Sequence, residues 1–566
     1  MQPPTSKHWI IAEKISPEAD TELAAYPAVM RQLLFNRGVT EGVQAIRYLE
    51  GRDEPKDPFL LSDMGAAVDR LNWALEHHEK IAVFGDFDVD GVTATVLMVE
   101  ALQALGGQVE PYIPDRFEEG YGLNNDALTK LKDSGVQVVI TVDCGIRSVL
   151  EAEHADKIGL DLIISDHHHV GEQIPAAFAV IDPKRDDDAY PDKNLAGVGV
   201  AYKIVQALIS RRPPGGLAAE HWLDLVALGT VADMVPLVGE NRLLVRKGLQ
   251  RLRQGQRQGI TSLANAARIN LMTLNTGNIG YGLAPRLNAA GRLESAIAAY
   301  SLLYSRDINE AGWLSQKLDD QNTERQKQTR EMVTQAEQQL MESEEEYMLF
   351  TLDPDFNPGV VGLVASRLAE RFFRPAIVGT WVDGAVRASC RSIAGFHITK
   401  ALDQCADILV RHGGHDLAAG FTVRAEHLEQ LRERLAKIAW QELSGRDLRP
   451  VIRIDHEVTL TELHPELLDY LEMLQPTGQG NPEPVFCSRN LKWTQAKAVG
   501  GDKGTLKLTV TDGNIFFDAI AFRLGHLAET LPKRIDLAYQ FETNVYNGRT
   551  SLQLQVKDLK ASGMPD

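Results

Sequence analysis

Between about residues 60 and 185, short apolar runs alternate with stretches whose apolar residues recur at helical spacing. Met64, Ala67, Val68, Leu71 and Leu75 fall on one helical face. Ile81–Asp86 (IAVFGD) is the short continuous apolar run that a strand buried on both faces requires. Gly91–Leu105 reads as helix, Val109–Ile113 as strand, and the stretch around Leu128–Leu131 as helix. VQVVITVD (Val136–Asp143) is the clearest strand, followed by a helix over Arg147–Ile158. LDLIISD (Leu160–Asp166) and FAVIDP (Phe178–Pro183) are two further strands. This alternation predicts an α/β domain on a parallel sheet.

From about Leu195 to Tyr304 the pattern is mainly helical, and Ile308–Ser343 is one long candidate helix. Its ends carry apolar residues (Trp313, Leu314, Leu318; Met332, Val333, Ala336, Leu340), while Asp319–Arg330 is almost wholly polar. A helix packed at both ends and wet in the middle reads as a bridge between domains. A second α/β block follows, with strands at Tyr347–Leu352 and Pro375–Val382 and a helix around Val360–Phe373. After Gly420 the chain turns helical and then strand-rich, with turn signals at Asp512-Gly513 and Asn547-Gly548. About five β runs over so short a span suggest a small barrel of the OB-fold type.

Composition refines this picture. A length of 566 residues suggests three or four domains. The formal charge of −19 argues against a uniformly basic nucleic-acid binder. Two features answer it: a multi-metal site needs many carboxylates, and Ser488–Lys560 holds 11 Lys plus Arg against 7 Asp plus Glu, a local +4. Trp493, Phe516, Phe517, Phe522, Tyr539, Phe541 and Tyr546 are interleaved there, as single-strand stacking would want. About half of them belong in a barrel core instead. The four cysteines, Cys144, Cys390, Cys405 and Cys487, form no C-x-x-C pair, which points to a reducing compartment. No signal peptide and no membrane-spanning apolar run are visible, so a cytoplasmic location is expected.

The main chemical signal is GDFDVDGVTAT (Gly85–Thr95). Asp86, Asp88 and Asp90 alternate at the carboxyl end of the first strand. Asp143 ends another strand, and Asp166 ends a third, followed by His167, His168 and His169. Three strands thus deliver acidic and imidazole groups to the edge where open α/β sheets bind ligands. Clustered carboxylates repel one another unless divalent cations neutralise them. Oxygen and imidazole donors without thiolates suit Mn²⁺ or Mg²⁺. Taken singly, an Asp after a strand is usually a turn former and a histidine run is solvated surface. The coincidence on one sheet edge carries the weight. Successive side chains point apart, so one histidine is expected as a ligand and another as a phosphate contact. Cys144 reads as a buried structural thiol.

Asp88-Val89-Asp90-Gly91, Asp143-Cys144-Gly145 and Asp166-His167-His168 resemble the ordered motifs of the DHH phosphoesterases. The resemblance implies Asp88, Asp90, Asp143, His167 and Asp233 as ligands of two Mn²⁺ or Mg²⁺ ions, with Asp143 bridging. It implies His168 on the scissile phosphate, Asp166 orienting the first histidine, and Asp86 as a further ligand. Asp233, in LGTVADMVPL, is promoted by the family pattern alone.

GYGLN (Gly120–Asn124), GVGVAYK (Gly197–Lys203), APRLNAAGRL (Ala284–Leu293) and PTGQGNPEPVF (Pro476–Phe486) resemble the RecJ branch of that family. Arg286, Asn288 and Arg292 are candidate phosphate binders, or else surface residues of a capping loop. VRASCRS (Val386–Ser392) and HGGHDLAAG (His412–Gly420) resemble the DHHA1 domain, which binds substrate against the metal domain; Arg391, Gly413, Gly414 and His415 are its candidates here.

The implied organisation is an N-terminal segment (1–55), a DHH catalytic domain (56–305), a connecting helix (306–345), a DHHA1-like domain (346–445) and an OB-fold-like domain (446–566). The implied activity is 5′→3′ hydrolysis of single-stranded DNA to mononucleotides in repair and recombination, by a monomer. A single-strand-binding protein and a helicase are candidate partners. Alternatives are a DHH enzyme acting on dinucleotides or short oligonucleotides, a haloacid-dehalogenase-like phosphatase with Asp88 as nucleophile and Asp90 as acid, and a non-enzymatic single-strand binder.

Overall fold

The computed structural model describes residues 6–564 except 116–118, 120–121, 213–214, 294, 342–345, 502 and 547–548. Gly120 and Tyr121 of the GYGLN motif and the turn expected at Asn547-Gly548 therefore lie outside the described residues. The chain divides into two compact units.

The first comprises Ile46–Thr323 and Leu474–Glu483. Its sheet holds β1 (Lys80–Gly85), β2 (Gln108–Tyr112), β3 (Val136–Val142), β4 (Asp161–Ser165) and β5 (Ala179–Ile181), all parallel, in the order β2-β1-β3-β4-β5. Successive side chains of β1 enter opposite cores: Ile81 and Val83 one, Ala82 and Phe84 the other. The first core is closed by α1 (Met64–Glu76), α2 (Val89–Ala104) and α5 (Gly197–Arg211), the second by α3 (Asn125–Asp133) and α4 (Val149–Lys157). A strand covered on both faces must be apolar throughout, which is why these runs were legible.

The segment Leu474–Glu483 returns to this unit from far along the chain. Arg242 donates to the carbonyls of Leu474 and Pro476 at 2.7 and 3.1 Å, and the Leu237 amide donates to Gln479 O at 2.7 Å. The first half of PTGQGNPEPVF is therefore a packing element here.

Helix α8 (Ile308–Met341), beyond α6 (Leu223–Ala232) and α7 (Ala284–Leu293), begins in the first unit and ends in the second. Leu314 and Leu318 are buried in one core, and Met332, Ala336 and Leu340 in another. Between 319 and 330 only Asn322 is buried.

The second unit contains a mixed sheet and a barrel. The sheet runs β9-β10-β8-β7-β6, from β6 (Leu349–Leu352), β7 (Ala376–Val382), β8 (Ala385–Arg391), β9 (Leu409–Gly414) and β10 (Ala418–Arg424). Only β6 and β7 were expected. VRASCRS and HGGHDLAAG also form strands, whose inward residues (Val386, Ala388 and Cys390 on β8) include too few large apolar groups to announce them.

The barrel is built from β11 (Phe486–Val499), β12 (Thr505–Thr511), β13 (Phe516–Ala521), β14 (Ile535–Tyr546) and β15 (Arg549–Ala561). Its order is β11-β12-β13-β15-β14, closed by β14 on β11, with β13 and β15 parallel. This is the OB topology. Phe517, Tyr539 and Phe541 fill its core, Trp493 is half-buried, and Phe516 and Phe522 are exposed. The N-terminal strand His8–Ile11 pairs with Val451–Ile454, and the Trp9 indole N–H donates to Asp558 at 2.7 Å.

Candidate metal centre

Four parallel strands end on the same residue type. Asp86, Asp143, Asp166 and Asp182 are each the first residue beyond β1, β3, β4 and β5, and all four are buried. Their coincidence at the carboxyl edge follows from the parallel topology.

Three groups of side chains there offer donor atoms within 4.8 Å of one another: Asp86, Asp88 and Asp143; Asp90, His167 and Asp233; and Asp143, His167 and His168. Asp143 belongs to the first and third groups. His167 Nε2 lies 3.0 Å from Asp143 Oδ1, 3.6 Å from Asp233 Oδ2 and 3.8 Å from Asp90 Oδ2. All six residues expected as ligands thus converge, including Asp233, which caps the C-terminus of α6.

Local structure holds each donor. Asp88 caps α2, one oxygen accepting from the amides of Asp90 and Gly91. Asp90 is held at the N-terminus of α5: its oxygens accept from the amides of Gly197 (2.7 Å) and Val198 (2.9 Å). The GVGVAYK motif therefore works as a carboxylate cradle. Its first residue must be glycine, because a Cβ on Gly197 would sit 2.6 Å from the Asp143 side chain. A Cβ on Gly229 of α6 would collide with Thr93 Oγ1 and sit 2.9 Å from Asp90 Oδ1. Sequence reasoning missed both glycines as site residues, and it missed Asp182. The strand-ending Asp in FAVIDP was a usable signal for Asp182.

Asp166 departs from expectation. It is expected to orient the first histidine, but its side-chain contact is with the second: Oδ1 lies 2.7 Å from His168 Nδ1, and it reaches His167 only through the backbone, accepting the amides of His167 and His168. The chain turns back over this carboxylate, so His168 folds onto it while His167 points into the carboxylate cluster. Oδ2 accepts from the Ile146 amide.

Burial, aided by mutual repulsion, pushes the Asp86, Asp90 and Asp143 carboxyls well above the ordinary carboxylate range. Burial and the Asp88 charge push Asp233 up to about 7. Burial, with charged His168 adjacent, pushes His167 down to about 3, leaving a neutral imidazole. Burial alone would depress His168, but Asp166 and the other carboxylates outweigh it and push it up to about 9. Burial pushes Asp166 up, but the bond with His168, the electrostatic pull of both histidines and the Ile146 amide together outweigh it and lower it. Asp86 Oδ1 and Asp143 Oδ1 are buried with no hydrogen-bond partner among the described residues. Orphaned carboxylate oxygens facing a neutral imidazole fit hard divalent cations. The Cys144 thiol is buried, raised by that burial, and directed at Phe84 O, as a structural thiol should be.

The phosphate-binding candidates fall in two places. Helix α7 packs on the metal loop, where a Cβ on Gly291 would lie 3.0 Å from Phe87 O. On α7, Arg286 is half-buried and donates to Asp319 (2.8 Å) and Gly282 O (2.7 Å), and Asn288 and Arg292 are half-buried. Arg391, Gly413, Gly414 and His415 belong to the other compact unit. There Arg391 donates to Ser366 Oγ (3.1 Å) and Cys390 O (2.8 Å), while Gly413, Gly414 and His415 are exposed where β9 meets β10.

Three family models match: the DHH family N-terminal domain over residues 80–230, the DHHA1 domain over 344–441 and the RecJ OB domain over 454–558. A single-stranded-DNA-specific exonuclease RecJ of Bacillus subtilis is 39% identical over 549 residues, covering 96% of this chain and 69% of its own. The chain belongs to the RecJ family. Among solved structures, RecJ of Thermus thermophilus in complex with Mn²⁺ superimposes with a TM-score of 0.85 at 28% identity, covering 98% of this chain and 80% of that one. The same RecJ in complex with Mg²⁺ gives 0.80 at 28% identity, covering 98% and 79%. A dehalogenase-like phosphatase would need only Asp88 and Asp90; RecJ membership and the convergence of Asp143, His167 and Asp233 exclude that reading. No described helix is long and apolar enough to cross a membrane.

Proposed function

We propose that this chain is a single-strand-specific exodeoxyribonuclease that hydrolyses DNA from the 5′ end to mononucleotides, using two Mn²⁺ or Mg²⁺ ions, in DNA repair and recombination. The observation that carries the reading is the convergence of six carboxylate and imidazole side chains about Asp143. Relatives named for this activity support it.

Asp88, Asp90, Asp143, His167 and Asp233 would hold the ions, and Asp86 would add a donor. When bound, the ions supply Lewis acidity to both the attacking and the leaving oxygen of a phosphoryl displacement. The protein's own groups do the rest. The α5 amides fix the Asp90 carboxylate. Asp166 holds His168 as a cation, and His168 contacts the scissile phosphate. Arg286, Asn288, Arg292, Arg391, Gly413, Gly414 and His415 are assigned to substrate phosphates, and the locally basic OB barrel to the rest of the strand. The working division remains 1–55, 56–305, 306–345, 346–445 and 446–566. A monomer acting in the cytoplasm with a single-strand-binding protein and a helicase completes the reading.

The test uses single and double strands labelled at either end, with Mn²⁺, Mg²⁺ or chelator. The 5′ label on single strands should be freed first, and only with metal. Release of the 3′ label first, or equal digestion of duplex, overturns the assignment.

A further inference from the structure

Helices α2 and α6 have two functional-looking ends. Asp90 on α2 and Asp233 at the end of α6 meet at the metal centre. Glu100 on α2 and Asp224 on α6 meet again on Arg257, which donates to Asp224 at 2.8 Å and to Glu100 at 2.9 and 3.0 Å. The helices are therefore antiparallel. Ten residues of helix separate Asp90 from Glu100, about 15 Å. At this second end lies a cavity of about 460 Å³, within the size range of small-ligand sites.

The cavity's charges do not balance. Arg257 takes both of its carboxylates. That leaves Arg251 and Arg306 without a carboxylate partner among the described residues. Among the described residues Arg251 donates to His221 Nδ1, at 3.1 Å, and its buried Nε has no hydrogen-bond partner. Arg306 is exposed at the rim. Three arginines against two carboxylates leave the described lining one positive charge in excess, on the side of Arg251 and Arg306, and that local field attracts an anion. Planar guanidinium forks match phosphate oxygens. Tyr304 also lines the cavity, its ring stacked on Tyr300 at 5.6 Å and its hydroxyl donating to Gln103 at 2.9 Å. A ring held this way offers a fixed platform for a flat base.

We propose that this cavity is a second ligand site, which binds a nucleoside monophosphate with its phosphate between Arg251 and Arg306 and its base beside Tyr304. The binding claim does not depend on the nuclease reading.

The test is calorimetric titration of the full chain with thymidine monophosphate in chelator, so that phosphate is not drawn to metal ions. Inorganic phosphate, thymidine and a short oligothymidylate serve as comparison probes. Saturable 1:1 binding of the monophosphate is expected. Arg306→Gln, at an exposed position that does not threaten folding, and Arg251→Gln should each weaken it by at least about tenfold, the loss of one charged hydrogen-bonded contact. Asp143→Asn should leave it unchanged. Inorganic phosphate should bind more weakly and thymidine not measurably. Absence of binding, or full binding by Arg306→Gln together with Arg251→Gln, overturns the proposal. So does loss of binding in Asp143→Asn alone, which would put the phosphate at the metal centre. Stronger binding of the oligothymidylate than of the monophosphate would identify a strand-binding surface and overturn it likewise.

Discussion

Asp166 Oδ1 lies 2.7 Å from His168 Nδ1, and the same oxygen accepts the amides of His167 and His168. One carboxylate thus sets the direction of two adjacent imidazoles, the second by direct contact and the first by turning the backbone beneath it. Asp166→Asn keeps the size but removes the charge that makes His168 a cation. The expected result is a loss of about 10–100-fold in activity, as for partners that orient metal-site groups. Steady-state kinetics should show this with little change in melting temperature. Wild-type turnover would show that the contact is incidental.

Gly197 and Gly229 should tolerate no side chain. Alanine at Gly197 would place its Cβ 2.6 Å from the Asp143 side chain, and alanine at Gly229 would place one 2.9 Å from Asp90 Oδ1. Displacing either carboxylate by about 1 Å is expected to reduce turnover by about 100-fold. Each variant should also bind Mn²⁺ more weakly by calorimetry. Unaltered Mn²⁺ affinity would mean the carboxylates are less tightly fixed than the packing implies.

Metal binding should stabilise the fold, and more so at higher pH. Asp86, Asp90, Asp143 and Asp233 have carboxyls raised above their unfolded values, Asp233 to about 7. The neutral forms of such groups favour the metal-free fold, so that contribution is present at low pH and is lost as pH rises through the raised values. A bound cation removes the repulsion and displaces protons. The melting-temperature gain on adding Mn²⁺ should therefore grow between about pH 5.5 and 8 in a thermal-shift series. A gain independent of pH would contradict the electrostatic origin.

In the barrel, two aromatics should separate cleanly. Phe541 is 5% exposed and packs edge-on against Phe517 at 6.0 Å, while Phe516 is 61% exposed. Phe541→Ala is expected to cost about 3–5 kcal/mol, whereas Phe516→Ala should stay within about 0.5 kcal/mol. Denaturant unfolding of both variants decides this.

Much of the fold was legible because parallel strands buried on both faces must be apolar throughout. IAVFG and VQVVITV could not be anything else once flanked by helical spacing. The metal centre was legible for a related reason: a strand's first residue beyond the sheet needs no apolar side chain, so the aspartates at 86, 143 and 166 stood out. Asp182 obeyed the same rule and was passed over beside a proline. What could not be read were relations between distant segments. Nothing in GVGVAYK announces that its amides hold Asp90, and nothing in the DHH motif says which histidine Asp166 will take. Strands β8–β10 were missed because small and polar residues give strand pairing little hydrophobic signature. Arg286 shows the converse. Its sequence context suggested a phosphate ligand and gave no sign of the Asp319 carboxylate to which it also donates.

The most direct test is the rate at which the Asp143→Ala variant frees nucleotides from single-stranded DNA in saturating Mn²⁺, with circular dichroism to verify folding. A folded variant with no detectable release is the predicted outcome, because Asp143 belongs to two of the three donor groups at the metal centre. Release at the wild-type rate by that folded variant would contradict the account.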